Sequence, residues 1–318
     1  MSLEYYLFYL AAVWAFVTGP PIINPHDPLE LAGPFEVLRV EESVPFDNDG
    51  DVVALDAELF IPQAEGIDAW ILFMPGFGLS YAGYTEYLDH FASHGFLAVG
   101  MDFNSPAFAA DGEHDVLAQQ ALSTISYIQE TYPEYKDLAV YTAGHSLGGK
   151  IAFFAASLTP NDIHGVMGLD PVNSGGGPCL IFPDDCRNDP VAPNTESGQE
   201  GIMREMNQNS MIASLIFRSE PDPLTNPDAQ FNAENFYFGS DGAGLNAAPS
   251  PTWYYDFGPF PHALYPSSCS SEQVKIMKRT MVAFIFQQVY DLDVEEYLTG
   301  EIIQKDIKEN RLESVETR

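Results

Sequence analysis

Apolar residues recur along this chain in two rhythms. Residues 35–46 and 52–62 alternate apolar and polar side chains with the period of two that a half-buried strand requires. Between them stand Asp47, Asn48, Asp49, Gly50 and Asp51, residues that favour a reversal, so the pair predicts a hairpin. Residues 69–74 are continuously apolar, as expected of a strand covered on both faces. A helix over 84–93 closed by Gly95, a strand over 96–103, and a helix placing Leu117, Ala121, Ile125 and Ile128 on one face come next. Residues 138–141 predict a short strand and 151–158 a buried helix. Strands over 164–170, 211–217 and 252–257 and an amphipathic helix over 267–290 complete the series. Strands alternating with helices predict an α/β chain with a mostly parallel central sheet flanked by helices. At 318 residues it fits one domain, over 35–290. Residues 171–209, rich in Gly, Pro, Asn and Asp, are long for a connection and predict an irregular lid or rim. The charged tail 291–318 predicts a surface helix or a frayed end.

The chemistry concentrates where residues 138–141 meet 151–158. Gly144, His145, Ser146, Leu147 and Gly148 form a Gly-x-Ser-x-Gly pentapeptide between a strand and a helix, the context of a nucleophile elbow. Gly144 and Gly148 let strand and helix approach closely enough to hold a serine on a strained turn. The helix start directs unsatisfied amides at the site, with Leu147 N–H as the expected first oxyanion donor. The second donor is expected from the loop after the third strand, Pro75-Gly76-Phe77-Gly78, which nominates the Phe77 amide.

A serine hydroxyl needs an imidazole to take its proton and a carboxylate to fix that imidazole's tautomer. His262, between a late strand and the last helix, is the candidate base. Asp170, at the carboxyl end of the strand over 164–170, and Asp222, after the strand over 211–217, are both candidate acids. The chain order Ser, acid, His is that of the α/β-hydrolase fold. His145, His94 and His114 read as structural. No His, Cys and carboxylate cluster has metal-ligand spacing, so no metal and no other cofactor is expected. The acids of 47–51 lack the glycine offset and distal glutamate of a calcium loop.

The formal net charge of −33, from 13 Lys+Arg against 46 Asp+Glu, argues against nucleic acid as a partner. It fits a source rich in salt as well as a merely acidic protein. Membrane association is confined to the N-terminal segment 1–34, whose apolar run over 5–17 is too short to span a bilayer but long enough for a signal peptide. No Lys or Arg precedes Arg39. Localisation therefore stays open between the cytoplasm, secretion and a membrane-associated anchor. Cys179 and Cys186 are close enough in sequence for a small disulfide loop, which leaves Cys269 over.

Pro75-Gly76-Phe77, Ala92-Ser93-His94-Gly95-Phe96, Gly144-His145-Ser146-Leu147-Gly148-Gly149 and Gly168-Leu169-Asp170-Pro171-Val172 occur in the order found in a known group. Over roughly 50–290 the chain resembles the chlorophyllase and platelet-activating-factor-acetylhydrolase-like branch of α/β-hydrolases, with polyester hydrolases and cutinase-like lipases nearby. The resemblance implies carboxylic-ester hydrolysis, on a small-molecule or polymeric ester. Chlorophyllase-like proteins imply Asp170 as the triad acid, whereas polyester hydrolases imply Asp222. Chlorophyllases usually carry Arg after the nucleophile, where this chain has Leu147. A hydrolase-fold protein that binds an apolar ligand without turnover is the alternative class.

Overall fold

The computed structural model describes residues 29–104, 114–159, 161–173, 198–209, 212–220, 233–239, 247–266 and 271–318. Strands β1 (Val37–Asn48) and β2 (Asp51–Pro62) form the expected hairpin. Its reversal is tighter than the acidic run implies, because Asn48 pairs with Asp51 around Asp49 and Gly50 alone. Both turn residues have positive φ, 53° and 95°, the combination a two-residue hairpin turn demands. The fully buried β3 (Ala69–Met74) follows, and then helix α1 (Thr85–Ser93) after a turn of tighter helix over Tyr81–Tyr84. Gly95 ends this unit at φ 98°. Next come β4 (Leu97–Met101), helix α2 (His114–Thr131), β5 (Ala139–His145), helix α3 (Leu147–Leu158) and β6 (Ile163–Leu169).

One sequence expectation needs correction and another is met only in part. Part of the segment expected to be irregular is ordered as helix α4 (Gln199–Asn209). Ile202, Met203 and Met206 lie on one face of it and are buried, and that face packs on α3. Three apolar residues among Gln, Glu, Arg and Asn carry too little periodicity to show against a loop-like composition. After β7 (Ala213–Glu220), helix α5 (Ala233–Phe238), β8 (Thr252–Pro261) and helix α6 (Glu272–Tyr290), the charged tail is also structured. It forms helices α7 (Glu295–Leu298) and α8 (Glu301–Lys308) and a ninth strand, β9 (Ser314–Thr317), antiparallel to β8. Tyr297, Leu298, Ile303 and Leu312 are buried there, and the Asp306 carboxylate pairs with the buried Arg279 of α6. Arg311 pairs with the same carboxylate at 2.6 Å. Charges that read as solvated in sequence thus close onto each other.

The sheet has nine strands in the order β1-β2-β4-β3-β5-β6-β7-β8-β9. Strands β4, β3, β5, β6, β7 and β8 run parallel, with antiparallel β1 and β2 at one side and β9 at the other. Core side chains fill both faces: one cluster packs α1 and α6 against the sheet, the other α2, α3 and α4. Rigid parallel strands with both faces covered leave their carboxyl ends as the place to present side chains. There β5, β6 and β8 deliver Ser146, Asp170 and His262. Among the described residues no helix is long and apolar enough to cross a membrane.

Candidate active site

Ser146 joins β5 to α3 at φ 55° and ψ −119°, a backbone conformation that L residues with a Cβ rarely occupy. Its amide donates to the Leu169 carbonyl at 2.9 Å, while its own carbonyl accepts from the amides of Lys150 and Val172 at 3.1 and 3.2 Å. The glycines on either side permit this turn. A Cβ on Gly148 would lie 2.3 Å from the Met74 carbonyl oxygen, and one on Gly144 would lie 2.4 Å from the Gly148 carbonyl. Strand and helix therefore meet through bare backbone. Leu147 is the first residue of α3, where amides have no acceptor within the helix and the helix dipole is positive. The loop after β3 runs alongside: a Cβ on Gly76 would be 3.4 Å from the Ser146 Cβ. Phe77, the next residue, is half-buried.

Asp170 follows β6 directly and is wholly buried. Its φ of 46° turns the carboxylate away from the strand line, and its amide donates to the Phe217 carbonyl of β7 at 2.8 Å. The His262 Nδ1–H donates to Asp170 Oδ2 at 2.5 Å. Ser219 of β7 supplies two more donors, its hydroxyl to Oδ2 and its amide to Oδ1 at 3.3 Å. A buried carboxylate that accepts three hydrogen bonds is held in one orientation and fixes the imidazole in turn. His262 itself is 3% exposed. It reaches this position because β8 is longer than the sequence indicates. Gly258, which reads as a strand breaker, takes φ 56° and receives support from Asp256 Oδ1, which accepts its amide at 2.8 Å. Pairing with β7 shifts there, from Arg218 opposite Asp256 to Glu220 opposite Pro261, so the strand bulges and continues to His262.

Behind these residues lies a buried polar layer. The His145 ring packs against those of His262 and Tyr265, with centroids 4.6 and 4.9 Å away. Its Nδ1 is 2.6 Å from the Tyr84 hydroxyl and its Nε2 is 3.1 Å from the His262 carbonyl. Burial pushes the His145 pKa well below its ordinary value, and the neighbouring His262 pushes the same way, so the ring is neutral. Burial raises the Tyr84 pKa, which keeps its proton in place. Lys150, also fully buried, donates from Nζ to the Asn173 carbonyl at 3.2 Å and lies 2.8 Å from His114 Nδ1. Asn173 Oδ1 then accepts the Gln199 amide at 2.8 Å, which ties α2, α3, the segment after Asp170 and α4 together.

The structure thus brings Asp170 to His262 and places the Ser146 elbow and the Phe77 loop side by side. Asp222, Cys179, Cys186 and Cys269 lie outside the described residues. Ser219 and Tyr84 had no signal in the sequence, because a serine before Glu-Pro and a tyrosine at a helix start are ordinary surface features until the fold closes over them.

The strand order and the elbow define an α/β-hydrolase. Residues 39–184 match the family model described as Chlorophyllase, a stretch that holds Ser146 and Asp170 and stops short of His262. The chain is 36% identical over 116 residues to "Chlorophyllase-1, chloroplastic" of Citrus sinensis, which covers 35% of each chain. It is 30% identical over 141 residues to "Chlorophyllase-1" of Arabidopsis thaliana, covering 40% of this chain and 43% of the relative. The match therefore spans only about a third to two fifths of these relatives. Over this stretch the chain is similar to chlorophyllases, and the similarity falls on the α/β-hydrolase fold already described.

Proposed function

We propose that this protein is a serine carboxylic-ester hydrolase with Ser146 as nucleophile, His262 as base and Asp170 as the orienting acid. The observation that carries this reading is the buried bond from His262 Nδ1 to Asp170, beside a serine on a strained elbow at a helix start. His262 Nε2 takes the Ser146 proton as Oγ attacks the ester carbonyl. The amides of Leu147 and Phe77 receive the negative charge that develops on the carbonyl oxygen. Collapse of the tetrahedral intermediate breaks the ester C–O bond, and His262 returns its proton to the departing alcohol. Water, deprotonated by the same imidazole, then hydrolyses the acyl-enzyme and frees the acid and Ser146. Asp170 is preferred to Asp222 because its carboxylate already holds the base.

The substrate class is an apolar ester. Leu147 and Phe77 at the elbow and the exposed Leu79 beside them form an apolar rim. The relatives' names point to chlorophyll, while the Leu147 position departs from the Arg usual in chlorophyllases. Short and medium acyl esters, polyester and chlorophyll itself form the natural panel, with a peptide anilide as control. Esters are expected to turn over and the anilide not, since an amide nitrogen must be protonated before it leaves. Ser146→Ala and His262→Ala are each expected to abolish hydrolysis without unfolding the protein, and a phosphonate probe to label only chains that keep Ser146. Normal turnover in either variant would refute the mechanism. Ester binding with no labelling at Ser146 would point instead to a non-catalytic binder.

A further inference from the structure

We propose that Tyr84 and His145 are positioning residues: through one buried hydrogen-bond chain they lock the loop that carries the second oxyanion amide to the backbone of the catalytic base. The inference rests on the ester-hydrolase reading above and extends it to two residues with no part in bond making.

The direction of the chain is forced by its ends. The His262 carbonyl can only accept, so the His145 nitrogen facing it at 3.1 Å, Nε2, must carry the hydrogen. A ring that buried is neutral, so Nδ1 has no hydrogen and must accept the one on the Tyr84 hydroxyl, 2.6 Å away. The phenol oxygen accepts in turn from the Gly76 amide at 3.3 Å. Every link therefore points the same way, from the Gly76 N–H through Tyr84 and His145 to the His262 carbonyl. Gly76 immediately precedes Phe77, and a Cβ at Gly76 would stand 3.0 Å from His145 Nδ1, so loop and ring are already in contact. Packing supports the chain at both residues. Tyr84 rests against Phe73, ring centroids 5.0 Å apart, and His145 stacks on Tyr265 and meets His262 at a tilt.

Two parts of an active site delivered by distant segments must hold their spacing to a fraction of an ångström, because small displacements cost rate rather than binding. Loss of one link frees the loop relative to the base. It should reduce transition-state stabilisation while leaving ground-state binding intact.

The test uses the full-length protein and a p-nitrophenyl ester. Wild-type turnover that is lost in Ser146→Ala establishes the parent reading on its own; absence of that turnover would sink the parent reading. Tyr84→Phe, which removes one oxygen and keeps the ring, is expected to lower kcat about tenfold with KM unchanged. His145→Phe should lower kcat by a similar factor. His145→Gln, which can still offer an N–H to the His262 carbonyl, should recover most of that loss. The double variant Tyr84→Phe/His145→Phe should be no slower than the worse single one, because a broken chain cannot be broken twice. Wild-type kcat in Tyr84→Phe, a loss confined to KM, or multiplicative losses in the double variant would each overturn the proposal. If His145→Phe does not fold, Tyr84→Phe alone decides it.

Discussion

An imidazole that donates Nδ1–H to a buried carboxylate presents an unprotonated Nε2 to its other neighbour, and that tautomer is the one a general base needs. Replacing Asp170 with Asn keeps the shape but allows the amide to donate, which favours the wrong tautomer. Asp170→Asn should therefore cost about 10³ to 10⁴ in kcat, read from ester hydrolysis under saturating substrate, with circular dichroism unchanged. A loss of less than tenfold would return the role to Asp222. At the same scale, burial sets a pH dependence of stability. His94 Nε2–H donates to the Leu31 carbonyl at 3.1 Å, and burial depresses its pKa from 6.5 to about 4. Above pH 6.5 it is neutral in folded and unfolded chains alike and contributes nothing. As pH falls below 6.5 the unfolded chain takes up a proton that the folded one refuses, so stability declines until about pH 4, by up to ~3 kcal/mol. The melting temperature should fall between pH 7 and 5.5, and fall less in His94→Gln. A rise over that interval in the wild type would contradict this.

Among the elements, those whose burial repeats along the sequence were legible and those completed by distant partners were not. The continuous apolar run of β3, the hairpin around Gly50 and the face of α2 each announce themselves within a dozen residues. The elbow was legible for a related reason: Gly144 and Gly148 are local requirements of a backbone contact. The end of β8 was hidden, because Gly258-Pro259 reads as a stop unless β7 and Asp256 hold the bulge in place. The bond between His262 and Asp170 was equally illegible, since it spans 92 positions of sequence. The C-terminal elements show the same rule through charge. Asp306 is fully buried between Arg279 and Arg311, and removing a single partner from such a cluster strands the others without solvent. Asp306→Ala should destabilise the protein by about 3 to 5 kcal/mol, measured by urea unfolding, whereas breaking the exposed Lys275–Glu272 pair should leave the urea midpoint almost unchanged.

For the molecule as a whole the net charge of −33 dominates. Carboxylates spread over the surface repel one another, and added salt screens that repulsion over roughly 8 Å at physiological strength and less in brine. The melting temperature should therefore rise from dilute buffer to molar potassium chloride, and a flat or falling curve would show that local ion pairs outweigh the global field. Another whole-molecule effect follows from the turn at Ser146. A conformation with positive φ costs on the order of 1 to 3 kcal/mol for a residue with a Cβ, and glycine escapes it. Ser146→Gly should melt above Ser146→Ala in a thermal scan, although neither is expected to turn over ester. Durability and turnover then pull against each other at one position, so a directed-evolution campaign that selects survivors of heating, with no demand for product, would drift toward enzymes that last longer and do nothing.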